Sequence, residues 1–500
     1  MIDLLKGAPG DPAIGAPDHP ALSYGALRKL AKETVARLNE LGIGRNDRIA
    51  IVLPNGPEMA AAFVAIAAGA TTAPLNPAYR AEEFEFYLTD LGAKALVLDA
   101  AGNEAAETVA SKLGLPVLRL ETASASPAGE FRLSGQSAGK AASPGLAEPG
   151  DIALVLHTSG TTSRPKIVPL TGANIAASAR NIRETLKLTS ADRCLNIMPL
   201  FHIHGLIAAV SASLSAGASV TATPGFNALK FFQWLDQQKP TWYTAVPTMH
   251  QAILARAPRN PESIANAKLR FIRSSSSSLP PQVMTELEAT FGCPVIESYG
   301  MTEATHQMAS NPLPPRARKP GSVGIAAGPE MAIMGADGSL LAPDSVGEIV
   351  IRGPNVTAGY EANPKANAEA FAHGWFHTGD QGTMDSDGYI RITGRLKEII
   401  NRGGEKISPR EVDDVLMDHP AVQQVVTFAM PHEKLGEEVA AAIVFREGQA
   451  ASERELRDFC ATRLADFKVP RRLVFLDEIP KGATGKLQRI GLAEKLGLWG

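Results

Sequence analysis

Between Tyr24 and Gly42, in YGALRKLAKETVARLNELG, apolar residues recur at a helical period, and a short unbroken apolar run, RIAIVL, follows. The exchange returns with KALVLD and again with TWYTAVP followed by TMHQAILARA. Helical patterns alternating with short apolar runs predict βα units that feed a parallel sheet buried on both faces. No repeat of fixed period is present. The Ala-rich MAAAFVAIAAGATTAPL is short, weakly apolar and ends in Thr, Gly and Pro, so it predicts a core helix and no membrane span. TASASPAGEFRLSGQSAGKAASPGLAEPG, with few side chains to bury, predicts a surface loop joining two lobes.

Beyond about Gly328 the pattern turns to β-rich segments, EMAIMGADGSLL and GEIVIRG, with a turn predicted at Asp337-Gly338. After GYIRITGR the order is helix (PREVDDVLMDH), strand (VQQVVTFAM), strand (EVAAAIVF) and helix (ERELRDFCATRLADF). The expected fold class is α/β. A large N-terminal body, residues 1–394, holds βα-layered sheets plus a β-rich subdomain, and a small α+β C-terminal domain covers 395–500.

Composition narrows the partners. A chain of 500 residues, 45% hydrophobic and 20% charged, is a globular protein with more than one core. A net charge of -3 gives no general attraction to nucleic acid or acidic membranes, so neither is an expected partner and any anion site must be built locally. Cys194, Cys293 and Cys460 are odd in number and lack zinc or disulfide spacing, which points to the reducing cytoplasm. MIDLLKGAPGDP lacks a secretory pattern and KLGLWG is not a Ser-Lys-Leu address, in keeping with a cytoplasmic location.

Two stretches carry candidate chemistry. LVLHTSGTTSRPK, Leu154 to Lys166, is an apolar strand opening into a hydroxyl-rich loop with a cation at its end. Backbone N–H groups of such a loop form a concave anion site, and a triphosphate would suit it; a plain Ser/Thr-rich turn is the alternative. Pro165 stands where a Walker A loop has Gly before its Lys. YGMTEATHQMASNP sets Glu303 three positions before His306 in a segment that Gly300 and Pro312 interrupt, where solvated polar residues would be the ordinary reading.

With YGMTEA, TGD (Thr378 to Asp380), GRLKEIINRGGEKISPREVD (Gly394 to Asp413) and PKGATGK (Pro480 to Lys486), that loop resembles the motif series of the AMP-forming acyl-CoA synthetase, or adenylate-forming, superfamily over nearly the whole chain. The resemblance implies a ligase that uses ATP and CoA as co-substrates, with Mg²⁺, and whose C-terminal domain is mobile. It further implies that Thr158, Ser159, Gly160, Thr161, Thr162 and Lys166 hold phosphates, and that Ser298, Tyr299, Gly300 and Met301 flank the adenine. Asp380, with Arg395, would accept the ribose hydroxyls, and Glu303 beside Thr302 would hold Mg²⁺. Lys486 would bridge the acid and the α-phosphate, His202 would shape the site, Lys397 would be the hinge, and Gly403 and Gly404 would let the pantetheine arm pass.

TSRPK, PLFHIHGL, FIRSSSSSLPP and NRGGEK are similar to the oxalate–CoA ligase branch of that superfamily, although Ile167 departs from it. Residue chemistry agrees, because an apolar acid would want an apolar pocket, whereas His204, Ser276 and His306 offer donors to a second carboxylate. A one-residue slip within Ser274 to Ser278 is an open alternative for Ser276. Malonate, glyoxylate or a fatty acid are the alternative substrates, and a nucleotide-binding protein without catalysis is the distant one. HIH could instead be a metal pair, since His202 and His204 would share one face of a strand.

Overall fold

The computed structural model describes residues 1–124, 126–137, 139–158, 165–481 and 487–498. Among them the chain forms four sheets. The helix Tyr24–Glu40, capped by the Ser23 hydroxyl, turns Leu27, Leu30, Ala31, Val35 and Leu38 inward, as its periodicity predicts. It packs on Pro57–Ile66, whose residues from Met59 onward are all buried because the helix is apolar on every side. No helix of the described residues is long and apolar enough to cross a membrane.

The seven-stranded sheet runs Arg132–Ser134, Val117–Glu121, Ala95–Asp99, Arg48–Val52, Thr71–Pro74, Ile152–Thr158, Lys166–Thr171. The stretch predicted to join two lobes lies within this sheet. It connects Val117–Glu121 to Ile152–Thr158 and pairs a short strand with the former, because Phe131 and Leu133 supply buried apolar anchors in an otherwise polar sequence.

The nine-stranded sheet has parallel strands Ser219–Ala222, Arg193–Asn196, Trp242–Ala245, Phe271–Ser274 and Val295–Met301 side by side, followed by antiparallel His306–Ser310. Their carboxyl ends face one crevice, the usual place for a ligand in an open α/β sheet. Glu330–Met334, Gly347–Arg352, Phe376–Met384 and Ile390–Arg395 form the β-rich unit, with Gly338 at a φ of 80° in the expected turn.

The last sheet is built on the long hairpin Val422–His432 and Gly436–Phe445, flanked by helices Pro409–Met417 and Glu453–Ala461. Glu453–Ala461 is shorter than the periodicity suggested, ending before a separate turn at Asp466–Lys468. Arg489 ties this unit together, donating to Glu398 at 2.9 Å, to the Thr427 carbonyl at 2.6 Å and to Asp413. Burial pushes the Asp413 carboxyl up to about 6 despite that cation. Arg489→Met would strand both carboxylates, and calorimetric unfolding is expected to show about 3 kcal/mol lost. An unchanged transition would mean that these ties carry little.

Candidate functional site

A cavity of about 950 Å³ opens where the carboxyl ends of the nine-stranded sheet meet the β-rich unit and the C-terminal unit. Thr158 and Lys166 face each other across the hairpin of Ile152–Thr158 and Lys166–Thr171, both on its wall. The Lys166 ammonium lies 4.3 Å from the Tyr360 ring centroid, and the Tyr360 hydroxyl donates to Glu303 at 2.9 Å. Glu303 sits in the turn Thr302–Ala304 and is buried, which raises its pKa, although Tyr360, Arg395 and Lys166 each oppose that rise.

Opposite stands Asp380, a direct cross-strand partner of Arg395. Arg395 Nε donates to Asp380 Oδ1 at 3.0 Å, and the Tyr299 hydroxyl donates to Oδ2. Burial raises the Asp380 pKa, and the Arg395 charge and the Tyr299 hydroxyl draw it back. Each oxygen has a lone pair left for a diol. Ser298, Gly300, Met301 and Thr302 line the cavity beside them.

The three acid-binding candidates come together. His204 Nδ1 lies 3.0 Å from Ser276 Oγ, and the His204 and His306 rings meet edge to face at 5.0 Å. Ser276 and His306 line the cavity, whereas His204 is wholly buried, bonded to Ser276. Ser276 has a φ of 73°, and Thr305 and His306 have 49° and 94°, a left-handed region that side chains seldom enter and that clusters at functional sites. Gly300 opposes this bend, where a Cβ would run into the His306 carbonyl.

HIH does not form a strand. His204 opens the π-helix His204–Ser211, its backbone N–H donates to His202 Nδ1 at 3.3 Å, and its ring nitrogens meet Ser276 and Thr244. The metal-pair reading therefore fails, and no cluster of three metal-ligating side chains occurs among the described residues.

Ser159, Gly160, Thr161, Thr162 and Lys486 lie outside the described residues, although Leu487, Gln488 and Arg489, next in sequence, line the cavity. His202 and Lys397 are on its wall. Gly403 and Gly404 are not among the lining residues; they form the tip between Ile400–Arg402 and Glu405–Ile407. Sequence reading missed Tyr360, Thr244 and Arg273. Only Arg273 left a signal, a charge inside the apolar run FIRS.

Residues 5–361 match the AMP-binding enzyme family, and residues 411–486 match the AMP-binding enzyme C-terminal domain. The chain is 49% identical to an oxalate–CoA ligase of Arabidopsis thaliana over 97% of each chain. It is 42% identical to an oxalate–CoA ligase of Saccharomyces cerevisiae, over 90% of this chain and 87% of the relative. The crystal structure of ATP-bound MatB from Rhodopseudomonas palustris superposes with a TM-score of 0.88 at 30% identity, covering 98% of this chain and 97% of that one.

One buried carboxyl is not among the residues that line the cavity. Glu297, on Val295–Met301, is buried, accepts from the Leu279 N–H at 3.0 Å and is pushed up to about 7 by burial, with Arg410 opposing. Unfolded, it titrates near 4.5. Between these values the folded chain keeps a proton that the unfolded chain has released, so stability falls as pH rises through that window. Glu297→Gln removes this dependence and is expected to gain up to about 3 kcal/mol over wild type at alkaline pH, measured by unfolding at several pH values. Parallel stability-pH curves for the two proteins would refute it.

Proposed function

The chain belongs to the AMP-binding enzyme family, and we propose that it is an ATP-dependent oxalate–CoA ligase, making oxalyl-CoA, AMP and pyrophosphate through an oxalyl-adenylate. The observation that carries the choice of acid is the polar wall of the cavity, where Ser276, bonded to His204, and His306 stand at strained backbone positions. A fatty or aromatic acid would set apolar groups against the Ser276 hydroxyl, at a cost of several kcal/mol, whereas the non-reacting carboxylate of oxalate accepts from it.

In the first half-reaction a carboxylate oxygen of oxalate attacks the α-phosphorus of ATP, and the bond to pyrophosphate breaks. Lys166 and Thr158, with Ser159, Gly160, Thr161 and Thr162, hold the phosphates. Asp380 accepts the ribose hydroxyls while Tyr299 and Arg395 keep it in place. Lys486 neutralises charge gathering between acid and phosphate. In the second half-reaction the CoA sulfur attacks the oxalyl carbonyl carbon, the bond to AMP breaks, and the thiol proton passes to solvent.

A Mg²⁺ ion fits Glu303. Glu303, a buried carboxylate next to Thr302 in the sequence, would hold the ion through oxygen, the donor a hard cation takes. When bound, the ion offsets charge on the pyrophosphate leaving group. The same reading divides the chain at 394/395 with Lys397 as hinge, supported by family matches on either side of that point. Gly403 and Gly404 then reach the adenylate only after the C-terminal domain turns. A cytoplasmic setting accords with three buried free thiols.

Pyrophosphate release across oxalate, malonate, acetate, octanoate and 4-coumarate tests the assignment, with oxalate expected to give the highest kcat/KM; no response to oxalate would falsify it. Glu303→Ala is expected to lower adenylation of every acid by about a hundredfold or more. His306→Ala is expected to raise the oxalate KM about tenfold while the ATP KM stays put. An unaltered oxalate KM would return His306 to a structural role.

A further inference from the structure

Arg273, on the buried strand Phe271–Ser274, is wholly enclosed, yet no carboxylate pairs with it among the described residues. Its contacts are long and go to neutral acceptors: Nη1 lies 3.4 Å from both His204 Nε2 and Thr244 Oγ1, and Nη2 lies 3.5 Å from Gln307 Oε1. Its Nε has no partner among the described residues. Gln307 is itself held by donating to the Thr185 hydroxyl at 3.1 Å and the Ala327 carbonyl at 3.0 Å. Enclosing an uncompensated guanidinium is costly, so a retained one serves something other than packing.

We propose that Arg273 is a positioning residue for the acid: it heads a chain of donors through Thr244 and His204 that leaves the Ser276 hydroxyl free to donate to the non-reacting carboxylate. The inference rests on the oxalate reading above. The proton inventory dictates the direction. A guanidinium only donates, so Thr244 Oγ1 accepts from Arg273 and turns its own proton toward His204 Nε2, 2.6 Å away. His204 then carries its proton on Nδ1 and gives it to Ser276 Oγ at 3.0 Å. Ser276, having accepted, points its proton into the cavity, where its left-handed backbone holds it. A cation at the closed end and an anion at the open end polarise every link in one sense.

The groups facing Arg273 supply no competing anion. Burial pushes the Cys194 thiol far up and draws His250 down to about 3, against the opposing pull of the Arg273 backbone carbonyl to which its ring is set to donate. Asp192, which acts on Cys194, is paired with Arg270. His306 meets His204 edge-on. Burial also draws Arg273 down to about 9, which leaves it charged at neutral pH. A second proton on His204 would face that charge, so Arg273 opposes it.

The test is initial-rate pyrophosphate release by the full-length enzyme, varying oxalate and ATP separately between about pH 6 and pH 8, where oxalate remains a dianion. Wild type is expected to hold one oxalate KM across this range. Arg273→Met is expected to raise that KM about tenfold or more at the upper pH with the ATP KM within about twofold. Part of the loss returns at the lower pH, where His204, freed of the guanidinium, takes the second proton. Arg273→Lys restores part of the affinity, and Thr244→Val, which cuts the next link, raises the oxalate KM alone. The proposal is overturned if Arg273→Met spares the oxalate KM, or raises the oxalate and ATP KM values alike without pH dependence. Should Arg273→Met not fold, an unchanged oxalate KM in Thr244→Val overturns it. Wild type that turns over a monocarboxylate and ignores oxalate refutes the oxalate reading and the inference together, whereas oxalate turnover indifferent to Arg273 refutes the inference alone.

Discussion

Asp380 is gripped between the Tyr299 hydroxyl and the Arg395 guanidinium, and that contact joins the parts of the molecule from which the site is made. Tyr299 belongs to the nine-stranded sheet, while Asp380 and Arg395 face each other across the β-rich unit, at the point where the chain leaves for its C-terminal unit. A buried carboxylate is costly unless paired and hydrogen-bonded, and these two partners offset part of that cost at Asp380. Moving either sheet would break one of the two bonds. The crevice thus keeps its shape before nucleotide arrives, which is what electrostatic preorganisation requires.

The opposite wall of the same crevice treats charge differently. Glu303 and Lys166 share Tyr360 as a neighbour, the ring lying against the ammonium and the hydroxyl donating to the carboxylate, while the Lys166 charge also draws the Glu303 pKa down. Deeper in, the hydroxyl and imidazole groups of Ser276, Thr244 and His204 form a continuous polar seam. The fold is shared with ligases of other acids, so under the proposed function the choice of acid would reside in this seam.

Periodicity failed where local pattern and packing disagreed. His202 and His204, taken as part of a strand, would share one face, but the residues that follow are enclosed on all sides and the segment winds into a π-helix that carries His204 away from the cavity surface. The Ser-, Gly- and Pro-rich stretch before Gly150 reads as a linker, yet Phe131 and Leu133 are enough to hold it on the edge of one sheet. Both misreadings arise because burial is a property of the partner surface, which a window of sequence does not contain.

The sequence alone determined the βα order of the body and the family to which the chain belongs, since these depend on residue type at fixed local spacing: Thr158 and Lys166 across one hairpin, Glu303 in its turn, Asp380 after its glycine. Only the tertiary structure decided which side chains stand behind them. Arg273 and Thr244 lie 29 positions apart and Ser276 is 72 from His204, and they meet because parallel strands bring their carboxyl ends to one crevice. Proton direction along that seam, and the absence of a carboxylate beside Arg273 among the described residues, follow from three-dimensional neighbours and leave no trace in local pattern.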